Sequence, residues 1–255
     1  MRKPHATKMF VALLFGALIV FTGRSDASLR PFGDAASLSE LQTLFNSIGS
    51  TIDAVNDQSS EALFEPTGTG NSVASYVATS SWSWPELEFG IYNMDDPNQM
   101  LPMFYESTTV AGDSLVVQFD QGADYVRVVD LNSLSVISTT TYFKEFGFYA
   151  LTTTDTGTAG PYYSDDSLNP GGFAHFLTYE GKGDDVTIGS SGTYSDIDHW
   201  YVATEAGTAF DTTGEDFTDF LVQMESITPI PEPASLVLLA GMSSLIAFIR
   251  YRFIV

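Results

Sequence analysis

Cysteine is missing from all 255 residues. Its absence excludes disulfide staples, thiolate metal sites and cysteine nucleophiles together. Cations are scarce as well: ten Lys and Arg stand against 32 Asp and Glu, for a formal net charge of −22. Nucleic acid binding depends on Lys and Arg neutralising phosphates, so a chain this acidic excludes DNA and RNA as partners. Histidine occurs three times, and the sequence contains no G-x-S-x-G elbow, no H-E-x-x-H pair and no phosphate-binding loop. His175 sits in an apolar strand-like run and His199 beside Trp200, neither with a partnered nucleophile, so both read as strand residues rather than bases. Paired carboxylates of the kind that cleave glycosides carry no signal here, because a chain so rich in acids always supplies pairs.

What is present begins with an export signal. Arg2, Lys3 and Lys8 form a basic start, Met9 to Phe21 is an apolar run of 13 residues, and Ser25-Asp26-Ala27 offers small residues for cleavage after Ala27. Thirteen apolar residues fall short of the roughly 20 that cross a bilayer, which favours a signal peptide over residues 1–27 rather than a first membrane helix. Signal peptidase and the general secretion machinery are the partners this implies. Six of the ten cations lie in the two ends of the chain, leaving Arg30, Arg127, Lys144 and Lys182 to face 30 acids in the body, formally −26. Such a surface is solvated and self-repelling, and some of its carboxylates are candidates to surround Ca²⁺, a hard cation that prefers oxygen ligands.

Ser37-Leu38-Ser39-Glu40 has the spacing of a capping box, and Leu38, Leu41, Leu44, Phe45, Ile48 and Ile52 follow at helical intervals. This predicts one amphipathic helix over 38–55, whose apolar stripe docks on the body because its other face lacks the cations of a membrane-surface helix. Beyond it the texture turns to Thr, Ser, Gly and aromatics. Leu87, Phe89 and Ile91 alternate as in a half-buried strand, and further strands are expected at 114–119, 124–131, 135–143, 145–153, 175–180, 185–190, 199–205 and 219–227. The stretches at 68–71 and 155–161 read as loops. The expected fold class is therefore mainly β, a single β-sandwich or jelly-roll-like domain over 28–227 with one N-terminal amphipathic helix. It is flanked by the signal peptide and by a C-terminal segment, 228–255.

In that segment Pro229, Pro231 and Pro233 lock φ and remove backbone donors, so 228–233 is expected to be extended and exposed. Residues 234–249 are 16 uncharged, mostly apolar positions, about 24 Å as a helix and slightly short for a ~30 Å hydrocarbon core. Arg250 and Arg252 place the following end in the cytoplasm and the acidic body outside the inner membrane. A plain single-pass anchor would need neither the first proline nor so short a helix.

Pro231-Glu232-Pro233-Ala234-Ser235, the apolar helix and the Arg250/Arg252 cluster together resemble the PEP-CTERM sorting signal of Gram-negative bacteria. The resemblance covers about the last 26 residues. It implies recognition by exosortase, an integral-membrane cysteine transpeptidase, and release or re-anchoring of the body at the surface of cells that commonly make exopolysaccharide. A second resemblance spans about 85–227. Phe89-Gly90-Ile91-Tyr92, the run from Tyr162 to Pro170, His175-Phe176-Leu177-Thr178-Tyr179 and Gly214-Glu215-Asp216-Phe217-Thr218-Asp219-Phe220 are similar to an uncharacterised β-rich domain of bacterial surface proteins. Gly214 stands where that domain has Asp, Thr218 where it has Asn, and Ala206 follows Glu205 where an acid is usual.

Glu205, Asp216 and Asp219 are thereby candidate ligands for Ca²⁺, with Asp165, Asp166 or Asn169 joining from another loop. The alternative for Asp216 and Asp219 is that they start the last strand and cap local backbone donors. The functional expectation is a secreted, non-enzymatic envelope or extracellular-matrix protein with a structural or adhesive role. The competing expectation is a carbohydrate-binding module or glycan-active enzyme acting on exopolysaccharide, for which Trp82, Trp84 and Tyr92 are the aromatic candidates.

Overall fold

Leu41, Phe45 and Ile48 fall on one face of a helix, and that face decides where the N-terminal part of the body docks. The computed structural model describes residues 33, 35–68, 70–78, 86–154, 157–206 and 216–230, all of which belong to one compact unit. Helix α1 (Ser39–Ile48) is shorter than the periodicity suggests. Gly49 adopts φ +91°, its N–H bonds back to Asn46 O and that of Ser50 to Phe45 O, which closes the helix end. Ile52 and Ala54 remain buried in the chain that follows. The expected capping box does not form, since Leu38 stands at the N-cap with no side-chain bond and the Ser39 hydroxyl donates to Ala36 O.

Sixteen strands follow among the described residues. In chain order they are β1 (Gln58–Ser59), β2 (Leu63–Pro66), β3 (Asn71–Ala78), β4 (Glu86–Asn93), β5 (Asp96–Tyr105), β6 (Ser114–Asp120), β7 (Tyr125–Asp130) and β8 (Val136–Thr140). Then come β9 (Phe146–Thr154), β10 (Gly157–Tyr163), β11 (Phe176–Glu180), β12 (Asp185–Thr187), β13 (Thr193–Ser195), β14 (His199–Thr204), β15 (Phe220–Glu225) and β16 (Ile227–Pro229). The protein is mainly β, with antiparallel sheets and one α-helix among the described residues.

One sheet has eight strands in the order β1-β11-β14-β15-β3-β6-β7-β8. A second runs β16-β2-β9-β4-β5, with β10 also pairing β9, and β12-β13 form a small hairpin. Between the two large sheets lies one aromatic core. Phe89 of the second sheet stacks on Phe220 of the first at 5.7 Å between centroids and 7° between planes, and Phe148, Phe176, Trp200 and Val202 close around them.

A separate apolar cluster forms on the outer face of the eight-stranded sheet. Phe45 of α1 meets Tyr179 of β11 at 5.0 Å and Tyr201 of β14 at 5.5 Å, both edge-on, with Val77, Ala203 and Leu221 beneath. This cluster draws nothing from β6, β7 or β8, so α1 covers only half of that face. The other half carries Gln118 and Arg127, both partly exposed.

Two expected loops are strands in part: Asn71 opens β3, and β10 occupies 157–163. Residues 228–230 are not freely exposed. Ile227 is buried, Thr228 to Ile230 are half-buried, and β16 pairs with β2. The signal peptide with Ala27, Trp82, Trp84, and the tail with Pro231, Glu232, Pro233, the span 234–249, Arg250 and Arg252 all lie outside the described residues. Among those described, no helix is long and apolar enough to cross a membrane.

Candidate functional site

The end of β14 and the approach to β15 bring the three acids of the sequence reading together. Glu205 follows β14 directly, and Asp216 to Asp219 lead into β15, where Asp219 N–H donates to Thr204 O at 3.1 Å. One Glu205 carboxylate oxygen accepts the N–H groups of Asp216 and Phe217, both at 3.2 Å. Phe217 holds φ +53° with its ring fully buried, and these bonds fix that left-handed turn. The Asp219 carboxyl accepts Ala206 N–H at 2.7 Å, while Asp216 accepts from the backbone and hydroxyl of Thr218.

The Glu205 and Asp219 carboxyls also hydrogen-bond to one another. Burial pushes both above the ordinary carboxylate range; the Glu205 charge adds to the rise at Asp219, and the Asp216 charge to that at Glu205. Each ionised carboxylate disfavours ionisation of the other, so the two titrate together above the ordinary carboxylate range.

His175 leans on the same turn. Its ring is buried, stacks on Tyr162 at 4.1 Å with the planes 26° apart, and gives its Nδ1 proton to Glu205 O at 2.9 Å. Burial lowers its pKa, opposed by that backbone bond and by the Asp166 carboxylate nearby. The second loop serves the backbone too. Asp165 accepts Ser167 N–H at 2.9 Å. Asn169 accepts from Tyr163 N and donates to Tyr163 O and Phe173 O, all within 2.9 Å, so both its amide hydrogens are used.

Glu205, Asp216 and Asp219 therefore converge on one turn. One oxygen of each accepts a backbone N–H, and that of Asp216 also takes the Thr218 hydroxyl. Among the described residues, no set of three or more Asp, Glu or His side chains is arranged to hold a metal ion. His199 is engaged separately, with its Nε2 lying 3.3 Å from a Glu225 oxygen. Of the aromatic candidates for glycan contact, Tyr92 is buried and packs edge-on against Tyr163 at 4.9 Å, so it offers no stacking face.

A feature missed at the level of sequence lies on the uncovered half of the eight-stranded sheet. There a cleft of about 460 Å³ is lined by Asn71, Gln118, Asp120, Gln121, Tyr125 and Arg127. The scarcity of cations was the available signal, because Arg127 is one of only four in the body. No family model, no curated protein and no solved structure matches the chain.

Proposed function

We propose that the chain is a secreted, non-enzymatic protein of the envelope or extracellular matrix of a Gram-negative bacterium, its body a β-sandwich of jelly-roll type. A signal peptide exports it, and the short helix over 234–249 holds it in the inner membrane with the body on the periplasmic side. Exosortase then processes it at Pro231-Glu232-Pro233, and the mature body has a structural or adhesive role.

The observation that carries the reading is that Ile230, the residue before the Pro-Glu-Pro motif, is still hydrogen-bonded into the body. Ile230 N–H donates to Leu63 O at 2.9 Å and Thr67 N–H to Ser226 O at 2.8 Å. The Pro-Glu-Pro handle thus starts at the very next residue, Pro231, so a cut within it would leave every described strand intact. A non-enzymatic role is favoured by the engagement of the acids around Glu205, each of which accepts at least one backbone N–H.

In the native host, Glu232→Ala is expected to leave a precursor of full length in the inner membrane. Normal maturation of that variant contradicts the sorting claim.

A further inference from the structure

We propose that the uncovered half of the eight-stranded sheet binds an uncharged, extended pyranose chain along a polar row formed by Asn71, Gln118, Arg127 and Thr139. The inference rests on the adhesive reading above and supplies its contact.

The row follows from register. Asn71 pairs with Gln118, Gln118 with Arg127, and Arg127 with Thr139, so four adjacent strands each present one polar side chain on the same line. Strands stand about 4.8 Å apart, close to the advance per sugar of an extended β-linked pyranose chain. A chain lying across the strands would meet one side chain per residue. Asp120 and Tyr125, themselves paired, flank the row and close one wall of the cleft.

Arg127 is the centre of the arrangement. Lys144 pairs with Glu65 and Lys182 with Asp57, whereas Arg127, the third described Lys or Arg, has no carboxylate at ion-pairing distance among the described residues. Its Nε donates to Gln118 Oε1 at 2.6 Å, and its guanidinium lies 4.6 Å over the Tyr125 ring. Both contacts fix the plane of the fork while leaving the terminal N–H groups free to meet two neighbouring hydroxyls. Gln118 keeps its N–H₂ as a donor, and the Asn71 carboxamide offers both a donor and an acceptor. Planar amides, one guanidinium, one carboxylate and an aromatic ring in a shallow cleft match a polyhydroxylated ring with an apolar face.

Charge selects the neutral class. Asp120 sits in the cleft beside Arg127, and the formal −22 of the chain repels a polyanion before contact. Helix α1 already covers the other half of this sheet face, which confines the ligand to β3, β6, β7 and β8.

The test is calorimetric titration of the full chain in detergent micelles with cellohexaose, xylohexaose, mannohexaose and a galacturonate hexamer. At least one neutral hexasaccharide is expected to bind, and the galacturonate hexamer to bind more weakly. Arg127→Ala and Tyr125→Ala should each weaken binding about tenfold or more at an unchanged melting temperature. Arg127→Lys, which keeps the charge and loses the planar fork, should weaken it as well and guards against a loss of folding in the other variants.

Failure of every neutral hexasaccharide to bind overturns the proposal. So does preference for galacturonate, or undiminished binding by folded Arg127→Ala. None of these outcomes depends on the tail: sugar binding leaves this site standing whether or not the host cuts the tail, and normal maturation of a chain that binds no sugar leaves the sorting claim standing and removes this site.

Discussion

The Glu205 and Asp219 carboxyls are joined by a hydrogen bond, and each also accepts backbone N–H groups from the strand end opposite it. The pair therefore ties the end of β14 to the start of β15, across the stretch 207–215 that separates them in sequence. The carboxyl pair forms a clasp between these two strand ends.

The clasp has a pH signature. Both pKa values are raised in the folded protein, so the fold holds a proton that the unfolded chain releases as pH passes the ordinary carboxylate range. Its contribution is fully present below that range and is lost as pH rises toward the folded-state values, with a slope of up to about 1.4 kcal/mol per pH unit for one proton. Asp219→Asn keeps an acceptor for Ala206 N–H and removes the ionisation. Urea unfolding at about pH 5 and about pH 8 should show the variant losing less stability between the two than the wild type. Parallel pH profiles would show that no proton is shared.

Calcium should leave the protein unchanged. One oxygen each of Glu205, Asp216 and Asp219 already accepts backbone or hydroxyl donors, and the Asn169 oxygen accepts Tyr163 N–H, so an ion would have to displace or share these bonds. Melting curves recorded with Ca²⁺ and with EDTA are expected to superimpose. A clear rise in melting temperature with Ca²⁺ would mean that the clasp opens to take the ion.

Phe45 fixes helix α1 to the sheet. Its ring is fully buried and meets both Tyr179 and Tyr201 edge-on. Phe45→Ala leaves a cavity under a helix too short to persist alone, and a cost of about 3–5 kcal/mol is expected. Denaturant unfolding measures it; a loss below about 1 kcal/mol would show that the helix is not part of the cooperative unit.

Gly147 has no room for a methyl group. A Cβ there would stand 2.5 Å from the Tyr92 ring, which is itself buried and held against Tyr163. Alanine normally suits a strand better than glycine. At this position overlap with a ring that cannot move outweighs that gain, and Gly147→Ala should destabilise by about 1–3 kcal/mol. The same unfolding experiment decides the sign.

Much of the fold is legible in the sequence because alternation and burial coincide. Leu87, Phe89 and Ile91 are all fully buried on one face of β4. Two of the strands that escape notice carry residues that usually break sheets. Pro97 and Pro102 sit in β5 and Gly160-Pro161 in β10, and each of these strands lies at a sheet edge, where a missing donor breaks no ladder. Helix α1 stops early because Gly49 turns left-handed, even though the apolar spacing runs on to Ile52.

The site was legible in part. Asp216 and Asp219 stand close together in the sequence, but that Glu205 shares a proton with Asp219 depends on burial and separation, which no local pattern encodes. The row through Arg127 depends on the register of four strands, two of them separated by the whole of β4 and β5. Tyr92 illustrates the converse: its neighbours alternate, yet it is buried beside Gly147 because that glycine leaves space for its ring.

The central claim is that the tail exists to be cut away. Mass spectrometry of both ends of the protein isolated from its native cell surface addresses it directly. The account predicts a chain that starts at Ser28 and ends at or beyond Ile230, without Arg250 and Arg252. Surface material that still carries Arg252 and Phe253 would contradict it.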